Sequence, residues 1–140
     1  MQLIDEFSRF YTDLQSMQVG HLQNIYAKDV EFIDPIASHN GLEAVKHYFS
    51  KLLNNAKFCE FEIHSKEATG PSGYVVVWTM RFTSQRINKG KPVAVDGLTV
   101  LRITDEKISY HRDYYDLGQM VYEHVPLLGR FIKAIKGKLS

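Results

Sequence analysis

Lys107-Ile108-Ser109-Tyr110-His111-Arg112-Asp113-Tyr114-Tyr115-Asp116-Leu117 is the segment that decides the architecture. Ser109, His111, Asp113 and Tyr115 fall on one face of an extended chain, and Tyr110, Arg112, Tyr114 and Asp116 on the other, because successive side chains of a strand point to opposite sides. The same period of two runs backwards along the chain. Asp105-Glu106 makes a turn, residues 92–104 a strand, Asn88-Lys89-Gly90-Lys91 a hairpin turn and residues 74–86 another strand. Pro71-Ser72-Gly73 is a further turn. Before it, Cys59, Phe61 and Ile63 alternate with Phe58, Glu60, Glu62 and His64. Four long strands joined by short turns predict an antiparallel sheet.

The first third of the chain has a different period. Leu3, Ile4, Phe7, Phe10, Tyr11, Leu14 and Met17 recur at helical spacing over residues 2–17. Gly20 ends that helix, and Leu22, Ile25 and Tyr26 mark a short second one. Residues 30–34 read as a brief strand closed at Asp34-Pro35, since the residue before proline is pushed to extended geometry. Residues 41–53 form a third helix with Leu42, Val45, Tyr48, Phe49, Leu52 and Leu53 on its buried side. Helices first and an antiparallel sheet after them give an α+β class. Residues 117–140 read as a helical tail interrupted near Pro126 and Gly129. Its apolar side is Leu127, Leu128, Phe131, Ile132, Ile135 and Leu139, and its polar side is Arg130, Lys133, Lys136 and Lys138.

At 140 residues the chain fits one domain, residues 1–140. A hydrophobic share of 44% with 24% charged residues is that of a globular protein and excludes disorder. The net charge of +1 gives no reason to expect nucleic acid. The one cysteine, Cys59, cannot make an internal disulfide or a cysteine-based metal site. The six histidines lack zinc spacing, so no metal is expected. The first residues lack the pattern of a secretory signal, and no apolar run approaches the ~20 residues of a spanning helix. The expected location is the cytoplasm. A basic amphipathic tail can lie on a membrane, but packing over the sheet or onto a partner subunit is the simpler expectation, and membrane contact the lesser one.

Two segments carry a resemblance. Tyr26-Ala27-Lys28-Asp29-Val30-Glu31-Phe32-Ile33-Asp34-Pro35, followed by Gly41, Glu43-Ala44-Val45 and Tyr48-Phe49, is the first; residues 107–117 are the second. Together with the element order they resemble the nuclear transport factor two-like superfamily, whose branches include SnoaL-like polyketide cyclases, ketosteroid isomerases and limonene-epoxide hydrolases. The resemblance implies a curved, mostly antiparallel sheet wrapped into an open cone (a cystatin-like α+β barrel) with helices closing one side. It also implies a hydrophobic small molecule in the cone, no cofactor, and a homodimer through the outer sheet face.

Residue by residue, the resemblance gives a partial site. Asp34 matches the general base of the ketosteroid isomerases. Their oxyanion-hole positions fall on Phe10 and Thr99, which lack the hydroxyl and the carboxylic acid, while Tyr11 stands one helix position away and should point elsewhere. Asp113 matches one catalytic carboxylate of the epoxide hydrolases, but their Arg and second Asp fall near Thr79 and Arg81, and their Tyr and Asn near Phe32 and Asp34. His111-Arg112-Asp113 keeps the His-x-Asp spacing of SnoaL-like proteins, the nearest match of the three. The implied catalytic set is therefore Asp34, Asp113 and His111, with Arg81, Thr79, Thr99, Trp78, Tyr115 and Phe10 as candidate ligand contacts. Each has an alternative. Asp34 also suits a turn cap, Asp113 and Arg81 a salt bridge, His111 a satisfied core histidine, and Trp78 and Tyr115 plain packing. The functional reading is an acid/base isomerase, cyclase or hydrolase; the alternative is a non-catalytic ligand-binding or dimerisation module.

Overall fold

A computed structural model describes residues 2–140. Helix α1 spans Gln2–Thr12, and short 3-10 turns follow at Leu14–Ser16 and Val19–Asn24. Strand β1 is Tyr26–Ile33, β2 Ser38–Asn40, and helix α2 Leu42–Asn55. Then come β3 (Phe58–Ala68), β4 (Gly73–Thr83), β5 (Val93–Thr104) and β6 (Lys107–Tyr115). Helix α3 (Leu117–Met120) and helix α4 (Leu128–Leu139) end the chain.

The six strands form one sheet in the order β2-β1-β6-β5-β4-β3. It curves and stays unclosed, with β2 and β3 as its edges. The long strands pair antiparallel as the period of two requires, and β1 joins β6 parallel. Helix α1 packs on β3 and α2 on β1, so the helices fill the concave side. The core lies between them: Phe7, Phe10 and Leu14 from the front, Phe49 and Val45 from α2, Val76, Trp78 and Leu101 from the sheet. Each such side chain contributes roughly 1.5–3 kcal/mol when fully buried.

Three local readings change. The first helix stops at Thr12 rather than running to Met17, its apolar spacing being continued by a 3-10 turn at Leu14–Ser16, and Gly20 falls inside the next turn instead of ending the helix. Tyr26 begins a strand rather than ending a helix, because the turn at 19–24 is too tight to continue and Tyr26 pairs beside Ile108. A sixth strand, Ser38-His39-Asn40, pairs with β1; it carries no apolar alternation to announce it. Gly41 then starts α2 at φ 91, a left-handed backbone that glycine adopts without cost, and its N–H donates to Val30 O at 2.8 Å.

Candidate functional site

The parallel pairing of β1 with β6 builds the site. Phe32 stands beside His111 and Ile33 beside Arg112, so Asp34 and Asp113 follow next on the same, concave face. The Phe32 and His111 rings stack at 4.0 Å with 16° between planes. His111 is fully buried.

A chain of hydrogen bonds runs through this buried imidazole. The Tyr11 and Tyr26 hydroxyls lie 2.8 Å apart, and Tyr26 is 2.8 Å from His111 Nδ1. His111 Nε2 is 2.8 Å from Asp113 Oδ1. From the other side the Trp78 indole N–H donates to Thr99 Oγ1 at 2.8 Å, and Thr99 donates to the same Asp113 Oδ1 at 2.6 Å. One assignment satisfies every member. Tyr11 donates to Tyr26, Tyr26 to Nδ1, and Nε2–H to Asp113, so all donors point at Asp113. Burial raises the hydroxyl pKa of Tyr26, and raises that of Tyr11 with help from the neighbouring Tyr26. Both therefore stay proton donors.

Asp34 has a divided environment. Its Oδ1 accepts from Ile36 N at 2.8 Å and Ala37 N at 2.9 Å, which is the turn cap. Its Oδ2 is buried and makes no hydrogen bond of good geometry among the described residues, although the Tyr48 hydroxyl stands close enough to Asp34 for a weak one. A buried carboxylate oxygen without a good hydrogen bond costs stability, and Asp34 and Asp113 both lie near the same two phenols. These are Tyr48 from α2 and Tyr115 from β6. Burial raises the pKa of each, and the negative fields of Asp34 and Asp113 raise both further. Two carboxylates and two phenols thus converge.

The other expected contacts divide. Trp78 and Thr99 join the Asp113 network, and the Trp78 and Tyr115 rings lie 6.3 Å apart. Thr79 and Arg81 do not join it. They face the convex side, where Thr79 bonds Asp96 at 2.6 Å and His64 at 2.7 Å, and Arg81 pairs with Glu62 at 3.0 Å. Strand alternation separates Thr79 from its neighbour Trp78. Phe10 is a core residue, set edge-on against Phe49 and Tyr11. Tyr11, not Phe10, brings the helix hydroxyl to the site. Tyr11, Tyr26 and Tyr48 were not among the expected residues; the signal available was a hydroxyl on an otherwise apolar stripe.

Side chains fill most of the cone. A void of about 10 Å³ remains between Phe7, Tyr11, Phe61, Trp78, Thr99 and Asp113, room for one water. A larger open groove of about 790 Å³ lies between α1, the turn at 19–24 and the β5–β6 turn, and Asp34, His111 and Asp113 do not line it. Among the described residues no group of three His, Cys, Asp or Glu side chains is placed to hold a metal.

An open, curved six-stranded sheet with helices on its concave side defines an α+β fold class, and known proteins share it. The SnoaL-like domain family matches residues 7–111, and the chain belongs to that family. No curated protein matches it in sequence. Among solved structures, an NTF2-like protein of unknown function from Burkholderia pseudomallei is similar at TM-score 0.74 and 15% identity, covering 86% of this chain and 95% of that one. A Catenulispora acidiphila protein with a ketosteroid isomerase-like fold, in complex with trimethylamine, gives TM-score 0.73 at 19% identity, covering 85% and 90%. An LEH-like epoxide hydrolase of M. tuberculosis gives TM-score 0.69 at 18% identity, covering 84% and 81%.

Proposed function

We propose that this chain is a small-molecule enzyme that moves protons on a hydrophobic substrate without a cofactor, as an isomerase, cyclase or hydrolase. The observation that carries the reading is that Asp34 and Asp113 both lie near the Tyr48 and Tyr115 hydroxyls, with Asp113 at the end of an aligned donor chain. Asp34 Oδ2 accepts a substrate proton, Asp113 serves as the second acid/base, and His111 fixes the Asp113 carboxyl plane. Tyr48 and Tyr115 donate to a substrate oxygen, and Trp78 and Phe61 form an apolar floor. The epoxide hydrolase among the structural neighbours supports chemistry of this kind on this fold.

A panel of hydrophobic ketones, epoxides and lactones tests it by turnover and by thermal shift. Asp113→Asn and Asp34→Asn should each lower turnover by about 10²-fold or more. Unchanged turnover in Asp113→Asn removes the acid/base assignment.

The void of about 10 Å³ favours a second reading, a non-catalytic binding or dimerisation module. A substrate must displace side chains around Tyr48 and Tyr115 to reach the carboxylates. Binding of panel members without turnover selects this reading. We also infer a homodimer through the convex face, supported by the exposed Val77 and Tyr114 there.

A further inference from the structure

Helix α4 docks on the domain by the wrong side for a core helix. Gly129 lies against the Glu123 backbone so closely that a Cβ there would collide with it. Lys136 Nζ bonds Glu123 Oε2 at 2.8 Å and lies 3.5 Å from Asp116 Oδ2. At 3.6 residues per turn these two positions share one side of the helix. Leu128, Phe131, Ile132, Ile135 and Leu139 occupy a different stripe about 100° wide. Apart from the half-buried Ile132 that stripe faces solvent: Phe131 is 62% exposed and Leu139 83% exposed. Just before the helix, Leu127 holds a left-handed backbone at φ 73 and is 67% exposed. A bulky residue in that conformation is strained, and packing in the domain does not repay it.

The charges complete the pattern. Residues 124–140 contain Arg130, Lys133, Lys136 and Lys138 and no acidic residue. Lys136 is spent on the domain, whereas Arg130, Lys133 and Lys138 make no ion pair among the described residues. Lys138 lies at one edge of the apolar stripe and Arg130 and Lys133 lie on the polar face opposite it, the arrangement of a helix that rests on a surface whose apolar interior lies under an anionic layer.

We propose that α4 is a peripheral anchor for an anionic phospholipid surface, with Phe131, Ile135 and Leu139 inserted, Lys138 among the headgroups at the stripe's edge, and Arg130 and Lys133 adding positive charge on the outer face. The test is co-sedimentation of the full chain with vesicles of phosphatidylcholine alone and of phosphatidylcholine with phosphatidylserine. Binding should require phosphatidylserine and weaken with added salt. Lys133→Glu/Lys138→Glu should lower partitioning roughly tenfold or more, and Phe131→Ser/Ile135→Ser should abolish it. These side chains are exposed, so circular-dichroism melts of both variants should match the parent. Equal binding to neutral vesicles, or none to either, overturns the proposal. So does a dimer in sedimentation velocity that Phe131→Ser/Ile135→Ser dissociates, since the stripe would then belong to a second copy.

Discussion

Tyr11, Tyr26 and Tyr48 are phenols held in a nearly dry environment, and their titration reports it. Burial raises all three above the ordinary tyrosine value, as it does Tyr115. An unfolded tyrosine ionises near pH 10. Above that pH the unfolded chain releases protons that the native chain retains, so stability is complete below about pH 10 and falls as pH rises. Cys59, pushed up to about 12 by burial, acts in the same direction. Tyrosinate absorbance should show four of the eight tyrosines ionising only together with the loss of the circular-dichroism signal. A simple titration of all eight near pH 10 in the folded protein contradicts the buried chain. Tyr26→Phe removes the donor to His111 Nδ1 and should cost about 1–3 kcal/mol, the penalty for an unmatched buried nitrogen. Urea unfolding measures it. That His111 and Asp113 share one sheet face was legible from the alternation of one strand, and the resemblance singled them out as site candidates. Tyr11 was not, because helical spacing shows which face a residue joins but not how far its hydroxyl reaches across the core. Arg81 was misplaced for a simpler reason: with Trp78 inward, parity sends Thr79 and Arg81 outward.

Strand β5 illustrates how an element fixes a site residue. Gly97 lies under the Trp78 indole, and a Cβ there would meet the ring. Glycine inside a strand marks such a close approach. The indole lies flat and its N–H reaches Thr99, which in turn holds Asp113. Gly97→Ala should therefore destabilise by about 1–3 kcal/mol, as overpacking does, and should shift the Trp78 emission as the ring leaves Thr99. An alanine variant with parental stability and emission would show that the ring has room. The long strands and α2 were readable because period two and helical spacing persist over ten or more residues. Strand β2 was not: Ser38-His39-Asn40 forms only because β1 offers it an edge. The start of β1 was hidden likewise, since Leu22, Ile25 and Tyr26 have helical spacing while the pairing that decides Tyr26 comes from β6, far along the chain.

The whole molecule presents a convex sheet face with interface anatomy. Val77, Leu98 and Tyr114 lie side by side across β4, β5 and β6, with Val75 and Val100 one pair along. Charged groups surround them: Arg81 with Glu60 and Glu62, Asp96 with Thr79, and Arg112 over the Tyr114 ring at 4.9 Å. An apolar centre with a polar rim is the arrangement of a protein interface, and on a curved sheet a two-fold axis through that centre lets each patch meet its own copy. A stable contact needs roughly 1,000 Å² or more of total buried area, which a patch spanning three strands can supply. Val77→Asp places a carboxylate at the centre opposite its own symmetry mate, where desolvation and like-charge repulsion act together. Since Val77 is exposed in the single chain, its fold should survive with an unchanged melt at low concentration. Light scattering should give twice the chain mass for the parent and the single mass for Val77→Asp. A parent that stays monomeric as concentration rises removes the dimer, and a Val77→Asp protein that stays dimeric moves the contact to another face.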